Sequence, residues 1–151
     1  MLNEQLKDAV DKGAKIVAQA RLDKNLKGAF FPPTLLSNIT KNMRVWHEEV
    51  FGPVLPIITF KTEQEAVRLA NDTVYGLGAR VMSNDIARAE RVASKIDAGS
   101  ISLNFENRFL PVNPFGGYKN SGLGRERGVH GLRELCQIKV IQKDNKNTTA
   151  A

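Results

Sequence analysis

A chain of 151 residues that holds a single cysteine, Cys136, has no means of building an intrachain disulfide framework, and the lone thiol lends no support to a metal site. Histidine is nearly as scarce. His47 and His130 lie far apart without metal-ligand spacing, so each is expected at the surface or in packing, and no metal is expected. No apolar run approaches the roughly 20 residues of a membrane-crossing helix, and the N-terminal stretch is too polar for a secretory signal. Cytoplasm is therefore the expected location, without a dedicated membrane partner. The 22 Lys and Arg residues exceed the 16 Asp and Glu residues, but they are scattered and form no dense patch interleaved with aromatics. That pattern implies a solvated basic surface and no dedicated nucleic-acid partner. An internal repeat is also lacking, and residues 142–151 have no apolar face, so they read as a polar tail.

What the chain does hold, 42% hydrophobic residues, suffices to bury a core. Leu2, Leu6, Val10, Gly13 and Val17 recur at nearly helical spacing, which predicts an opening helix with one apolar face. A buried strand is expected over Val54–Phe60, with Pro56 at its entrance or edge. Thr62 and Glu65 fit a capping box ahead of a helix that buries Ala66, Val67, Leu69 and Ala70. A short strand around Leu77–Val81 follows, then a helix capped by Asp85 with an apolar stripe from Ile86 to Ile96. Further strands are expected at Ser100–Asn104 and Leu135–Ile141. Such alternation predicts an α/β fold with a largely parallel sheet and flanking helices.

Two loop signatures concentrate the chemistry. The first runs from His47 through Glu48, Glu49, Val50, Phe51, Gly52 and Pro53 to Val54, and the second spans Pro114 to Glu126. Glycines at such bends let a backbone approach a ligand, and Phe51 and Phe115 offer flat apolar surfaces beside them. Their order, together with Asn71–Ala79, Ala98–Asn104 and Gly128–Leu132, resembles the C-terminal part of the NAD(P)-dependent aldehyde dehydrogenase superfamily. The resemblance runs through nearly the whole chain except its last ten or so residues. It implies a partial catalytic domain over residues 1–134, an oligomerisation strand over 135–141 and a tail over 142–151.

The resemblance assigns Glu49 to the ribose hydroxyls attached to nicotinamide and Phe51 to apolar contact with the ring. On local sequence alone, Glu49 reads as a surface acid and Phe51 as core, while Glu48 reads as solvated or structural. Phe115 and, from the preceding segment, Phe109 are the candidate aldehyde-facing walls, with core or oligomer packing as the alternative. Arg108 fits an acidic aldehyde or simply a solvated surface. The glycines from Gly122 to Gly128 follow a loop and do not open a strand-to-helix crossover, so they read as turning and packing residues rather than as a phosphate cradle. Asn104 closes a strand, and its side chain is expected to fix the following loop.

Complete members of the resembled superfamily use a cysteine thiolate that attacks the aldehyde carbon, after which hydride passes to NAD(P)+ and water hydrolyses the thioester. Cys136 carries no matching nucleophile signature and is expected to be structural. No catalytic residue is therefore expected in this chain. NAD or NADP is implied for the complete enzyme, with neither held tightly by the isolated chain. The implied partners are the missing N-terminal and catalytic segments and further copies of the chain. The alternative function class is a structural or oligomerisation module derived from the same enzymes.

Overall fold

A computed structural model of the chain describes residues 1–23, 25–105 and 110–143. The chain divides into two compact units, one of Met1–Val74 with Ser94–Ile96 and one of Tyr75–Ala93 with Asp97–Ala151. The stretch 1–134, read from the sequence as one partial domain, thus spreads over both.

The first unit opens with helix α1 (Leu2–Asp11), which ends where Gly13 turns the backbone to a φ of 99°. The opening helix is thus shorter than its apolar spacing suggests. Val17 lies in strand β1 (Lys15–Gln19), because the left-handed turn at Gly13 breaks the helical period before it reaches that residue. Strand β2 (Thr34–Ser37) pairs antiparallel with β1 across a bulge between Ile16 and Ala18, and pairs in parallel with β3 (Val54–Pro56). Between them, the single turn α2 (Arg44–His47) enters from Met43. Ala9, Ala14, Leu36, Met43, Val45 and Val54 form the core, with Leu6, Phe31, Ile39 and Val50 packed against it. The strand expected over Val54–Phe60 stops at Pro56, and Ile57, Ile58 and Phe60 are exposed. Helix α3 (Glu63–Asn71) begins as its sequence implies: Thr62 accepts from the Glu65 N–H at 3.1 Å, while the Glu65 carboxylate accepts from the Lys61 N–H at 2.8 Å.

In the second unit, β4 (Tyr75–Gly76) is followed by β5 (Gly78–Val81), α4 (Ile86–Ala93), β6 (Ser100–Leu103), β7 (Tyr118–Lys119) and α5 (Gly128–Glu134). Asp85 caps α4 by accepting the Arg88 N–H at 3.0 Å. Strands β5 and β6 run parallel, whereas β4 and β7 run antiparallel. The expected largely parallel sheet is therefore corrected: the described residues form three small sheets in which both directions occur. In this unit the β5–α4–β6 stretch has a helical crossover that allows parallel pairing, and the short β4–β7 ladder closes a longer loop. Residues 135–141 form no strand: Leu135 and Cys136 close α5 through bonds to Leu132 and Arg133 carbonyls, and no ladder partner for the segment occurs among the described residues. Apolar patterning makes a segment competent to be a strand, but the hydrogen bonds must come from a neighbour.

Candidate functional site

In the first unit the site is a turn raised above the core. Buried Met43 and Val45 anchor α2, after which the chain becomes extended at Glu48 with φ −96° and ψ 147°. Val50 packs against the core while Glu49 and Phe51, on either side of it, are exposed. The Gly52 N–H donates to the Val50 carbonyl at 3.0 Å and the Val54 N–H to the Gly52 carbonyl at 2.8 Å. Two successive three-residue turns thus place Phe51 at an apex, where the residue is 75% exposed. The Glu49 carboxylate has no hydrogen-bond or ion-pair partner among the described residues; only its main-chain carbonyl accepts a side-chain donor, Gln5. Sequence reasoning from locality alone puts Phe51 in the core, and its exposure corrects that alternative.

Glu48 has the structural part. Its carboxylate accepts from Arg44 Nε at 2.7 Å and from Gln5 Nε2 at 3.0 Å. The Arg44 hydrogen bond, followed by the one from Gln5, holds the Glu48 carboxyl below its ordinary value. Asp8 is lowered as well, first by the Arg44 backbone N–H and then by Lys12. In the unfolded chain both carboxyls regain ordinary values near about 4, so through the acidic window below this the unfolded state binds more protons and stability rises with pH. Their contribution is fully present above about pH 4 to 5 and is lost as pH falls through the lower folded values. Urea titrations at pH 5, 4 and 3 are expected to show a steeper acid loss of stability for the native chain than for Glu48→Gln. Identical slopes would remove Glu48 from the account.

In the second unit, Phe115 borders a cavity of about 370 Å³ together with Ser100, Ser102, Phe105, Asn113 and Arg127. Its backbone exchanges two 2.8 Å hydrogen bonds with Glu126, and the Arg127 guanidinium lies 5.5 Å from its ring centre. The turn behind it is tight. A Cβ on Gly116 would come within 2.5 Å of the Gly124 carbonyl oxygen, and one on Gly99 within 1.7 Å of the Gly116 oxygen. Those two glycines are demanded by backbone approach. Ser102 is 1% exposed and its hydroxyl has no hydrogen-bond partner among the described residues.

Asn104 makes the side-chain bond expected of it, though with another loop: it exchanges 2.8 Å bonds with the backbone of Ser83. Phe109 and Arg108 lie outside the described residues. Cys136, expected in a strand, is instead exposed just beyond α5, where its thiol donates to the Leu132 carbonyl at 3.4 Å. Among the described residues no three His, Cys, Asp or Glu groups gather into a metal-binding set. Glu49 and Phe51 share one turn, whereas Phe115 belongs to the other unit. Three residues escaped the sequence: Gln5, Ser102 and Arg127. The first had a readable signal, since a polar residue three positions after Leu2 and four before Ala9 interrupts the apolar face of α1.

Residues 1–141 match the sequence model of the Aldehyde dehydrogenase family. The chain belongs to that family. The matched stretch is the N-terminal part of this chain and leaves out its final residues. Aminoaldehyde dehydrogenase 1, peroxisomal, of Pisum sativum is 44% identical over 139 residues, covering 91% of this chain and 28% of its own length. Succinate-semialdehyde dehydrogenase [NADP(+)] of Deinococcus radiodurans is 43% identical over 141 residues, covering 93% of this chain and 29% of the relative. The crystal structure of betaine aldehyde dehydrogenase from Staphylococcus aureus in complex with NAD+ superposes with a TM-score of 0.82 at 45% identity. That alignment covers 88% of this chain and 27% of the other. This aldehyde dehydrogenase chain therefore spans little more than a quarter of the relatives it matches. Among its described residues no helix is long and apolar enough to cross a membrane.

Proposed function

We propose that the chain is the C-terminal portion of an aldehyde dehydrogenase that, when complete, oxidises an aldehyde to a carboxylic acid with NAD(P)+, and that the chain alone is inactive. The observation that carries this reading is the exposed Glu49 carboxylate, without a partner among the described residues, beside exposed Phe51 on a turn held from below, in a chain of this family. A carboxylate and an aromatic edge so placed suit a ribose diol and a flat heterocycle. Glu49 accepts from the ribose hydroxyls next to nicotinamide, and Phe51 limits the ring's position. NAD(P)+, when bound, supplies the acceptor for the hydride that leaves the aldehyde carbon. Phe115 narrows the aldehyde channel from the cavity it borders, and Phe109 is the second proposed wall.

No residue of this chain is assigned to catalysis. The nucleophilic thiolate and the adenosine-binding segment, which decides between NAD and NADP, are supplied by the rest of the enzyme, and the isolated chain holds neither cofactor tightly. Those missing segments are its first partners. Self-association is the second, supported by exposed Leu123, Leu132, Leu135 and Ile138 in the final part of the chain, with 135–141 as the subunit-contact segment that becomes a strand when a neighbour supplies its hydrogen bonds. The cytoplasm is the proposed location. The same exposed residues favour a second reading, an oligomerisation module without catalysis. A chain that stays monomeric in light scattering would exclude that module.

The test compares the complete enzyme carrying this segment with its variants. Removing one carboxylate that bonds a ligand costs about 1.5–3 kcal/mol, so Glu49→Ala is expected to lower kcat/KM for NAD(P)+ by about tenfold to a hundredfold. Phe115→Ala is expected to reorder kcat/KM among aliphatic, aromatic and semialdehyde substrates while leaving the KM for NAD(P)+ within about threefold. The 151-residue chain alone is expected to oxidise none of these aldehydes. Equal losses for both variants towards every substrate, or turnover by the isolated chain above its Glu49→Ala control, would overturn the proposal.

A further inference from the structure

Gln5 is 1% exposed, buried in the apolar side of a helix, and its Oε1 atom has no hydrogen-bond partner among the described residues. A buried polar group with one half unsatisfied is a poor choice for stability, because an apolar side chain of similar size would avoid that cost. Its other half explains its presence. Gln5 Nε2 donates both to the Glu48 carboxylate at 3.0 Å and to the Glu49 main-chain carbonyl at 3.3 Å. Both partners are acceptors only, so the amide has one workable orientation, nitrogen towards the turn.

The neighbours of Gln5 along α1 engage the same stretch of chain. Three residues earlier, Leu2 packs where a Cβ on Gly52 would stand, 2.3 Å from Leu2 Cδ1. Three residues later, Asp8 accepts the Arg44 N–H at 2.8 Å. At intervals of three, one side of the helix therefore meets Gly52, then Glu48 and Glu49, then Arg44. Arg44 in turn bonds Glu48 from the opposite side, so the Glu48 carboxylate is fixed between a guanidinium and an amide.

We propose that Gln5 is a positioning residue for the cofactor contact: its buried amide clamps the backbone at Glu49, and so sets the direction of the Glu49 carboxylate and the height of Phe51. It touches neither cofactor nor substrate. This proposal rests on the reading of Glu49 as the nicotinamide-ribose contact, and the experiment separates the two.

Gln5→Met keeps the length and helix preference of the side chain but removes its donors, and Gln5→Asn keeps the amide but draws it back by one methylene. Hydrogen exchange of the 151-residue chain is expected to show the Gly52 and Val54 amides exchanging about tenfold faster in either folded variant. The Ile57 amide, bonded to Leu36 in the sheet, is expected to keep its native rate. In the complete enzyme Gln5→Met is expected to raise the KM for NAD(P)+ about three- to tenfold with kcat within about twofold, a split that general loss of fold does not produce. Native exchange at Gly52 in a folded variant, or an unchanged KM beside a raised one for Glu49→Ala, would overturn the clamp alone. If Glu49→Ala leaves the KM unchanged, the ribose-contact reading fails and the clamp's functional role fails with it, while faster Gly52 exchange still establishes the mechanical clamp.

Discussion

Gly99→Ala is expected to abolish the native packing of the second unit. The added Cβ would sit 1.7 Å from the Gly116 carbonyl oxygen and 2.8 Å from its carbonyl carbon, and both are backbone atoms with no rotamer to yield. Gly99 enters β6, and Gly116 directly follows Phe115, so separating them displaces the strand from the turn that carries the aromatic wall. Ordinary overpacking costs about 1–3 kcal/mol; an overlap with main chain on this scale belongs above that range. Hydrogen exchange should show the Phe115 and Glu126 amides, each protected by a 2.8 Å bond in the native chain, exchanging at unfolded rates. A Gly99→Ala chain that retained protection at both would show that the two backbones are free to move apart.

Leu36→Ala is the counterpart in the first unit. Leu36 is fully buried at the centre of β2, between antiparallel β1 and parallel β3, and belongs to the same core as Val45 and Val54 on the segments flanking the Glu49 turn. Truncating such a leucine removes its transfer energy and leaves a cavity, together about 2–5 kcal/mol. With a urea dependence of about 1–3 kcal/mol per molar, the unfolding midpoint should fall by at least about 0.7 M, and by about 2 M at the middle of both ranges. A midpoint lowered by less than a few tenths of a molar would mean that the sheet repacks around the gap.

The local features were legible in the sequence. Thr62 and Asp85 each accept an N–H three residues on, because a cap is decided within one turn of chain. The two loop signatures, with the other motifs in the same order, carried a resemblance to the family that residues 1–141 match. Strand partners were not legible. Whether β1 runs against β2, or β4 finds β7, depends on segments many residues apart, and the apolar pattern of each strand is the same for either direction. Leu135–Ile141 shows the limit plainly: its side chains suit a strand, but no edge for it occurs among the described residues. Gln5 was hidden for another reason. A polar residue on an apolar helix face signals that some partner exists, but its acceptors lie 43 and 44 positions away.

That separation has a consequence for the order in which the molecule assembles. Closing a loop of more than 40 residues is entropically costly, so contacts of this kind form after the local turns and caps. During synthesis α1 leaves the ribosome before Arg44 to Gly52, so the amide of Gln5 lacks these acceptors until the later segment has emerged and folded back against the helix. The turn bearing Glu49 forms from its own local bonds and receives its clamp at docking, as one of the late events of folding.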